Sequence, residues 1–321
     1  MDYAQLGRSG LAVSRICLGT LNFGLKTEAA AAHRMMDFSH AEGINFFDTS
    51  NVYGSPNFTG EARSEMIIGD WFAEGKGRRD RTVLATKLYN PKGDWPNQGR
   101  LSAFHIRQAC EDSLARLKTD RIDLYQMHHI DRTTPWEEIW EAMSVLRTQG
   151  KILYAGSSNF AGWHIAQAQE AAQDRHFMGL ISEQSIYNLA TREIEMEVIP
   201  AAQAYGVGVL AWSPLHRGML TGVLQLEESR GRYTQEQLGR FHAQLEQYEA
   251  LCAEIGREPS QVALAWVLSR PGITGPVIGP SKIEQVEDAL AALATPLDPD
   301  VLARLDAIFP GYKTSPEQYA W

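Results

Sequence analysis

SAFHIRQACEDSLARLKTDRIDLYQMH, residues 102–128, reads as two elements in succession. In its first part Ile106, Ala109, Cys110, Leu114 and Leu117 recur at helical spacing on one face, and Ser102 stands where an N-cap belongs. After the polar link 118–121 the period changes. Residues 122–128 form a short, mostly apolar run of the kind buried on both faces of a parallel sheet. The same alternation continues in both directions. Strand-like runs occupy 16–20, 45–49, 82–88, 122–128, 152–157, 180–186, 207–212 and 274–278. Amphipathic helical segments occupy 28–42, 62–74, 102–117, 136–149, 162–173, 192–205, 259–269 and 281–293. Pro135 and Pro259 suit first-turn positions, and Gly43 and Gly150 lie just past helix ends, where a left-handed residue is wanted.

Eight strands alternating with eight helices is the count of a (β/α)8 TIM barrel of the α/β class. No domain boundary interrupts it, so residues 1–321 read as one domain. A doubly wound sheet would need a phosphate-binding glycine turn at an early strand-to-helix junction. The GxGxx(G/A) string at 206–211 runs into a strand rather than out of one. Around the barrel, residues 1–15 read as an N-terminal hairpin able to plug the floor, with a turn at 7–10. Segments 89–101 and 216–240 are long connections after the third and seventh strands. Extra C-terminal helices are expected at 240–256 and 298–309, with a tail folding over the mouth.

Composition narrows the function. Of 321 residues 44% are hydrophobic and 21% charged, enough for a large core. Thirty basic against thirty-nine acidic residues give a net charge of −9, which argues against a nucleic-acid or anionic-membrane partner. Three dispersed cysteines without a CxxC speak against a disulfide framework or a thiolate zinc site. No signal peptide or apolar span is evident, so a cytoplasmic protein is expected, and the sequon at 57–59 reads as a chance match. Self-association as a homo-oligomer is left open.

In such a barrel chemistry sits at the C-terminal ends of the strands. The residues there are Asp48 and Tyr53 after the second strand, Lys87 on the third and His128 on the fourth. Ser157, Ser158 and Asn159 follow the fifth, Gln184 lies on the sixth, and Trp212, Ser213 and Pro214 end the seventh. Taken singly, Asp48 and Lys87 read equally as a buried ion pair, Tyr53 as a core tyrosine and His128 as a structural ring. Together they make a proton-donating site: an ammonium beside a phenol favours the phenolate, and a carboxylate keeps that ammonium charged. His128 and His129 as a metal pair is disfavoured, because adjacent strand residues point to opposite faces. With no GxSxG nucleophile and no HExxH, redox chemistry here needs a cofactor.

These residues, with ICLGTLNFG (16–24), NFFDTSNVYG (45–54), TVLATKL (82–88), RIDLYQMHHID (121–131), GKILYAGSSNF (150–160), SEQSIYNLATRE (182–193), GVGVLAWSPLHRGMLTG (206–222) and GPVIGPSKIEQVEDAL (275–290), resemble the aldo-keto reductase superfamily over nearly the whole chain. The resemblance implies a barrel that binds NADPH (NADP) in extended form and reduces aldehydes and ketones, a small-molecule carbonyl substrate. Asp48, Tyr53, Lys87 and His128 match its catalytic tetrad, with Tyr53 as proton donor. It further implies that Ser158, Asn159 and Gln184 hold the carboxamide and that Trp212 stacks on the nicotinamide. Ser213, Pro214, Leu215, Arg217, Gly218 and Leu220 would cover the pyrophosphate. Gly279, Ser281, Lys282, Gln285 and Asp288 would hold the adenosine end, while Gly19 and Thr20 approach from the first strand. Two positions depart from the pattern: Ala289 stands where relatives often carry Asn, and Trp212 where Tyr or Phe is common. Phe23, Phe58 and Trp95 are candidates for the substrate pocket, and Arg230, Arg232 and Arg240 for a cofactor clamp. Potassium-channel β-subunits resemble the same superfamily, so a nucleotide-sensing binding subunit is the alternative reading.

Overall fold

Eight parallel strands close on themselves in the computed structural model, which describes residues 1–56, 61–225 and 235–320. An antiparallel hairpin of β1 (Tyr3–Gln5) and β2 (Ala12–Ser14) comes first, paired from Tyr3↔Ser14 to Gln5↔Ala12. The barrel strands are β3 (Cys17–Gly19), β4 (Phe46–Asp48), β5 (Val83–Leu88), β6 (Ile122–Met127), β7 (Ile152–Ser158), β8 (Leu180–Ile186), β9 (Gly208–Trp212) and β10 (Ile273–Ile278), and β10 pairs with β3 to shut the ring. The strands fall where the apolar runs predict, within a residue or two at each end.

The crossover helices are α1 (Ala29–Ala41), α2 (Arg63–Ala73), α3 (Ala103–Leu117), α4 (Trp136–Thr148), α5 (Gly162–Asp174) and α6 (Val198–Tyr205). They are followed by α7 (Gln235–Glu254), α8 (Pro259–Ser269), α9 (Glu284–Ala294) and α10 (Pro299–Ile308), of which α7 and α10 are additions to the barrel plan. Ser102 caps α3 by accepting from the His105 N–H at 3.3 Å, and Gly43 and Gly150 take left-handed φ of 84° and 72° past α1 and α4. Among the described residues no helix is long and apolar enough to cross a membrane.

Two helices start later than expected, each for a local reason. A helix from 192 would place Pro200 in its interior, where the ring clashes with the carbonyl four residues back. The chain instead makes a 3-10 turn at Glu193–Glu195 and begins α6 at Val198, so that Pro200 falls in the first turn. At α9 the side-chain oxygen of Gln285 accepts from the N–H groups of Ser281 (2.7 Å) and Lys282 (3.3 Å), holding 281–283 as a turn ahead of Glu284. The C-terminal tail lies against the connection between β8 and α6: Tyr312 N–H donates to Glu195 and Ser315 N–H to the Met196 carbonyl.

Apolar side chains form two shells. The outer one lies between strands and helices and includes the fully buried Trp71, Trp140 and Trp266. The inner one fills the barrel floor, where Cys17, Phe46, Ala85, Leu124, Ile181, Leu210 and Val277 meet Leu6 and Val13 of the hairpin. The hairpin is therefore a plug. Its turn docks through the Arg8 N–H on the Gly206 carbonyl at 2.7 Å. The glycines of the 206–211 string serve this contact: Gly206 ends α6 with φ 66°, and a Cβ on Gly208 would lie 2.8 Å from the Gly7 nitrogen. Gly7 itself has φ 56°, and a Cβ there would meet the carbonyl oxygens of Ile181 at 2.4 Å and Gly206 at 2.6 Å.

Gly7→Ala forces backbone to move on both sides of that contact and is expected to lower unfolding stability by about 1–3 kcal/mol or more. Gly10→Ala, with nothing within 4 Å of its Cβ, should stay within about 0.5 kcal/mol of the parent. Urea denaturation of the two variants checks the plug; equal midpoints would remove it from the account of stability.

Candidate active site

At the C-terminal ends of the strands the sheet register sets Asp48 beside Ala85 and Lys87 beside Gln126, so the carboxylate and the ammonium come from neighbouring strands and meet inside the ring. Lys87 is fully buried and Asp48 nearly so. Lys87 Nζ donates to Asp48 Oδ2, to the Thr49 carbonyl at 3.1 Å and to the Tyr53 hydroxyl oxygen at 3.2 Å, so each of its protons has an acceptor. The other carboxylate oxygen, Asp48 Oδ1, accepts from Gln126 Nε2 and Gln184 Nε2, both at 2.9 Å. A charge removed from water needs this density of partners. Burial alone would lower the Lys87 pKa, but Asp48 and Tyr53 outweigh it and hold it above its ordinary value.

Tyr53 is half-buried on the loop after β4, fixed by its N–H to the Ser50 carbonyl (3.2 Å) and its carbonyl to the Ser64 N–H (3.1 Å). Here the structure differs from the sequence expectation of a lowered phenol pKa. Burial raises it, Lys87 pulls it back only in part, and Asp48 opposes that pull. A paired ammonium acts on the phenol as a dipole rather than a free charge. The hydroxyl therefore stays protonated at neutral pH, and with its oxygen accepting from Lys87 its hydrogen is left to donate.

His128 lies one residue past β6, its N–H on the Leu88 carbonyl at 2.8 Å and its ring edge-on to Tyr53 at 5.9 Å between centroids. Burial, then the Lys87 charge and His129, push its pKa well below the ordinary value, so the ring is neutral. Nδ1 lies 3.3 Å from Ser50 Oγ and 3.4 Å from the Asn90 amide nitrogen. An amide nitrogen can only donate, so Nδ1 accepts and the ring hydrogen sits on Nε2. The expected opposition of His128 and His129 fails: their rings stack at 5.0 Å and 4°. The alternation of a strand stops with β6 at Met127, and both residues belong to the bend beyond it. Asp131 is committed to Thr133, Thr134 and the Leu101 N–H, and among the described residues no group of three His, Cys, Asp or Glu is placed to hold a metal ion.

The remaining strand-end residues form a rim. Asn159, with a left-handed φ of 60°, ties three strands together: its amide nitrogen donates to the His128 carbonyl at 3.1 Å and to Ser158 Oγ at 3.0 Å, and its oxygen accepts from Trp212 Nε1 at 3.1 Å. Ser158 Oγ donates to the Gln184 carbonyl at 2.8 Å. Beyond Trp212 the backbone is left-handed at Ser213, His216, Arg217 and Gly218. Asn188 holds this loop through the Ser213 carbonyl (3.0 Å), Thr191 pairs with His216, and Ser213 Oγ accepts from the Arg217 N–H. Pro214 and Leu220 are buried beneath it and Leu215 half-buried. Exposed Gly279, at the end of β10, accepts from Asn22 at 2.8 Å; Lys282 is exposed, and Asp288 accepts from Gln261. Gly19 and Thr20 are buried. A Cβ on Gly19 would strike the Ile278 carbonyl at 2.7 Å, and the Thr20 hydroxyl is bonded to Asp48 O and Ser64.

Phe23 is fully buried in the outer core and lines no pocket, whereas Trp95 is 76% exposed. Phe58, Arg230 and Arg232 lie outside the described residues, and Arg240 stacks on Phe241. Four residues at the site went unassigned from sequence: Gln126, Asn90, Asn188 and Glu183. Gln126 carried a signal, a polar residue at the C-terminal end of a mostly apolar strand. Asn90 and Asn188 depend on loop conformation, and Glu183, on β8, on which turn its strand faces.

A family model, the Aldo/keto reductase family, matches residues 15–309. Over the full length of both chains the protein is 50% identical to the uncharacterized oxidoreductase YrpG of Bacillus subtilis (strain 168). It is 31% identical to a probable voltage-gated potassium channel subunit beta of Oryza sativa subsp. japonica, over 99% of this chain and 100% of that one. It is 30% identical to versiconal hemiacetal acetate reductase of Aspergillus parasiticus, over 97% and 99% respectively.

Glu183 is the unexpected titratable group. It is fully buried behind the rim, and its hydrogen-bond partners are Ser157 Oγ, Ser185 Oγ (2.7 Å) and the Phe160 N–H (3.1 Å), none of them charged. Burial outweighs these bonds and pushes its pKa from 4.5 up to about 7. A carboxyl whose native pKa is raised favours folding fully below its unfolded pKa and loses that contribution as pH rises through the native value. Glu183→Gln removes the titration, so its stability relative to the parent should climb by roughly 2–3 kcal/mol between about pH 5 and 8. Parallel thermal melts across that range test the sign; a difference independent of pH would refute it.

Proposed function

This chain belongs to the aldo/keto reductase family, and on that premise we propose that it is an oxidoreductase reducing aldehydes or ketones to alcohols with NADPH, Tyr53 giving the proton. The observation that carries the reading is the Tyr53 hydroxyl, bonded to a buried, carboxylate-paired lysine and edge-on to the His128 ring.

The residues present fit a nicotinamide dinucleotide. The loop that the resemblance sets over the pyrophosphate is fixed by its own bonds, from the N–H groups of His216, Arg217 and Gly218 to Ser213 and Leu215, and it presents the exposed Arg217 as a cation for that anion. Asn159, Ser158 and Gln184 gather amide and hydroxyl groups at the ring end, where the Trp212 indole is fixed by its hydrogen bond to Asn159. Exposed Lys282, at the turn before α9, suits the 2′-phosphate that distinguishes NADPH from NADH. When bound, the dinucleotide supplies a hydride to the carbonyl carbon.

The chain's own groups do the rest. His128 Nε2–H donates to the carbonyl oxygen and polarises it. Tyr53 releases its proton to that oxygen as negative charge develops there. Lys87, at 3.2 Å, stabilises the phenolate left behind. Asp48, itself held by Gln126 and Gln184, keeps Lys87 charged and aimed. Residence in the cytosol belongs to the same reading and is supported by three free, buried cysteines.

The match to a channel β-subunit favours a second reading, a nucleotide-binding subunit that turns over slowly. Stoichiometric NADPH binding without turnover on any aldehyde, with a co-purifying partner, would favour it over reduction.

Tyr53→Phe removes the proton donor and should cut aldehyde reduction by at least ~10²-fold while leaving NADPH binding near the parental value. Undiminished turnover across an aldehyde panel would defeat the assignment. Lys282→Ala should lower the preference for NADPH over NADH by roughly tenfold, the effect of about one lost charge-assisted contact. Titration of each dinucleotide against tryptophan fluorescence reads it directly.

A further inference from the structure

We infer that Glu183 is a positioning residue for the nicotinamide end of the cofactor site: it pins the 157–160 turn from behind and so holds Asn159 in the conformation that joins His128 to Trp212. The inference rests on the dinucleotide reading above.

Three observations converge. Glu183 sits on β8 with its side chain fully buried, and it takes hydrogen bonds from residues on both sides of the Ser158–Asn159 pair: the Ser157 hydroxyl before it and the Phe160 N–H after it. A further bond from Ser185, two residues along the same strand, fixes the carboxyl's own orientation. The turn held in this way contains Asn159 at φ 60°, a left-handed conformation that asparagine tolerates better than other non-glycine residues. Asn159 in turn uses both ends of its amide, donating to the His128 carbonyl and accepting from the Trp212 indole. Glu183 hydrogen-bonds to none of Asp48, Tyr53, Lys87 and His128, and it also accepts from the Asn159 backbone. Its influence on β6 and β9 passes through one residue.

A carboxyl group suits this task better than a smaller acceptor because it serves donors at two separate atoms. Oε1 takes Phe160 N–H and Ser185 Oγ, and Oε2 takes Ser157 Oγ. An amide can stand in for it, its oxygen accepting from Phe160 and Ser185 and its nitrogen donating where Oε2 accepted. The Ser157 hydroxyl has a second acceptor in the Ser182 carbonyl at 3.3 Å, so it can turn its hydrogen there and accept from a glutamine nitrogen. Leucine has comparable bulk but would leave the buried Phe160 N–H and Ser185 hydroxyl without their acceptor.

The test compares two ligands that share the adenosine end. NADPH binding is followed by quenching of tryptophan fluorescence, and 2′,5′-ADP, which lacks the nicotinamide, by titration calorimetry. Glu183→Leu should weaken NADPH by at least ~10-fold and leave 2′,5′-ADP within about twofold, while Glu183→Gln stays within about threefold for both. Ser157→Ala removes one of the bonds with little loss of volume; should Glu183→Leu fail to fold, this variant carries the test, with a smaller loss for NADPH alone. Equal weakening of both ligands, or none in either variant, overturns the assignment. A parent chain that binds neither ligand overturns the proposed function and this inference with it, whereas a parent that binds both with variants that match it overturns this inference alone.

Discussion

The Lys87 ammonium is enclosed on all sides by a barrel of mainly apolar strands, where an unpaired charge would cost several kcal/mol. Asp48 neutralises it, and Asp48 in turn needs acceptor sites filled, which Gln126 does from β6 and Gln184 from β8 across the ring. The demand propagates outward. A phenol must sit where the third ammonium proton emerges, and the loop after β4 is bent and bonded to place Tyr53 there. Four strands and one loop are thus constrained by one desolvated charge. The polar layer they form lies above the apolar floor, so the barrel is dry below and hydrogen-bonded above.

That layering explains the protonation states. Burial favours neutral forms of Tyr53 and His128, and the ion pair between Lys87 and Asp48 presents a weaker field to the phenol than a lone lysine would. An acid poised to give up its proton is one that holds it until charge develops on its partner. In the proposed reductive role, a permanently ionised phenol in the resting site would serve less well.

Much of this was legible in the residue order. Strand runs such as 82–88 and 207–212 are mainly apolar and bounded by turn chemistry, so their existence and limits follow from local rules, and the residues that end them mark the mouth. Less legible were positions decided by conformation rather than period. Pro200 shifted the start of α6 because its ring excludes an interior site, a signal present but overridden by the apolar pattern around it. The stacking of His128 on His129 required knowing that β6 stops at Met127. Glu183 looked like one more residue of a strand; only the fold shows that its alternate face meets the back of the 157–160 turn rather than solvent. Asn188 gave no sign of its hold on Ser213, because the left-handed loop it supports has no glycine until Gly218.

The closing seam of the ring, β3 against β10, joins Cys17 and Leu18 to Val277 and Ile278. These partners come from opposite ends of the polypeptide. During synthesis the first strand leaves the ribosome long before its neighbour exists, and until then its edge is bare, hydrophobic and open to the wrong companion. The early hairpin, packed through Leu6 and Val13 against Cys17, gives that nascent segment partial cover until the last strand arrives, so vectorial folding here is a matter of waiting as much as of assembling.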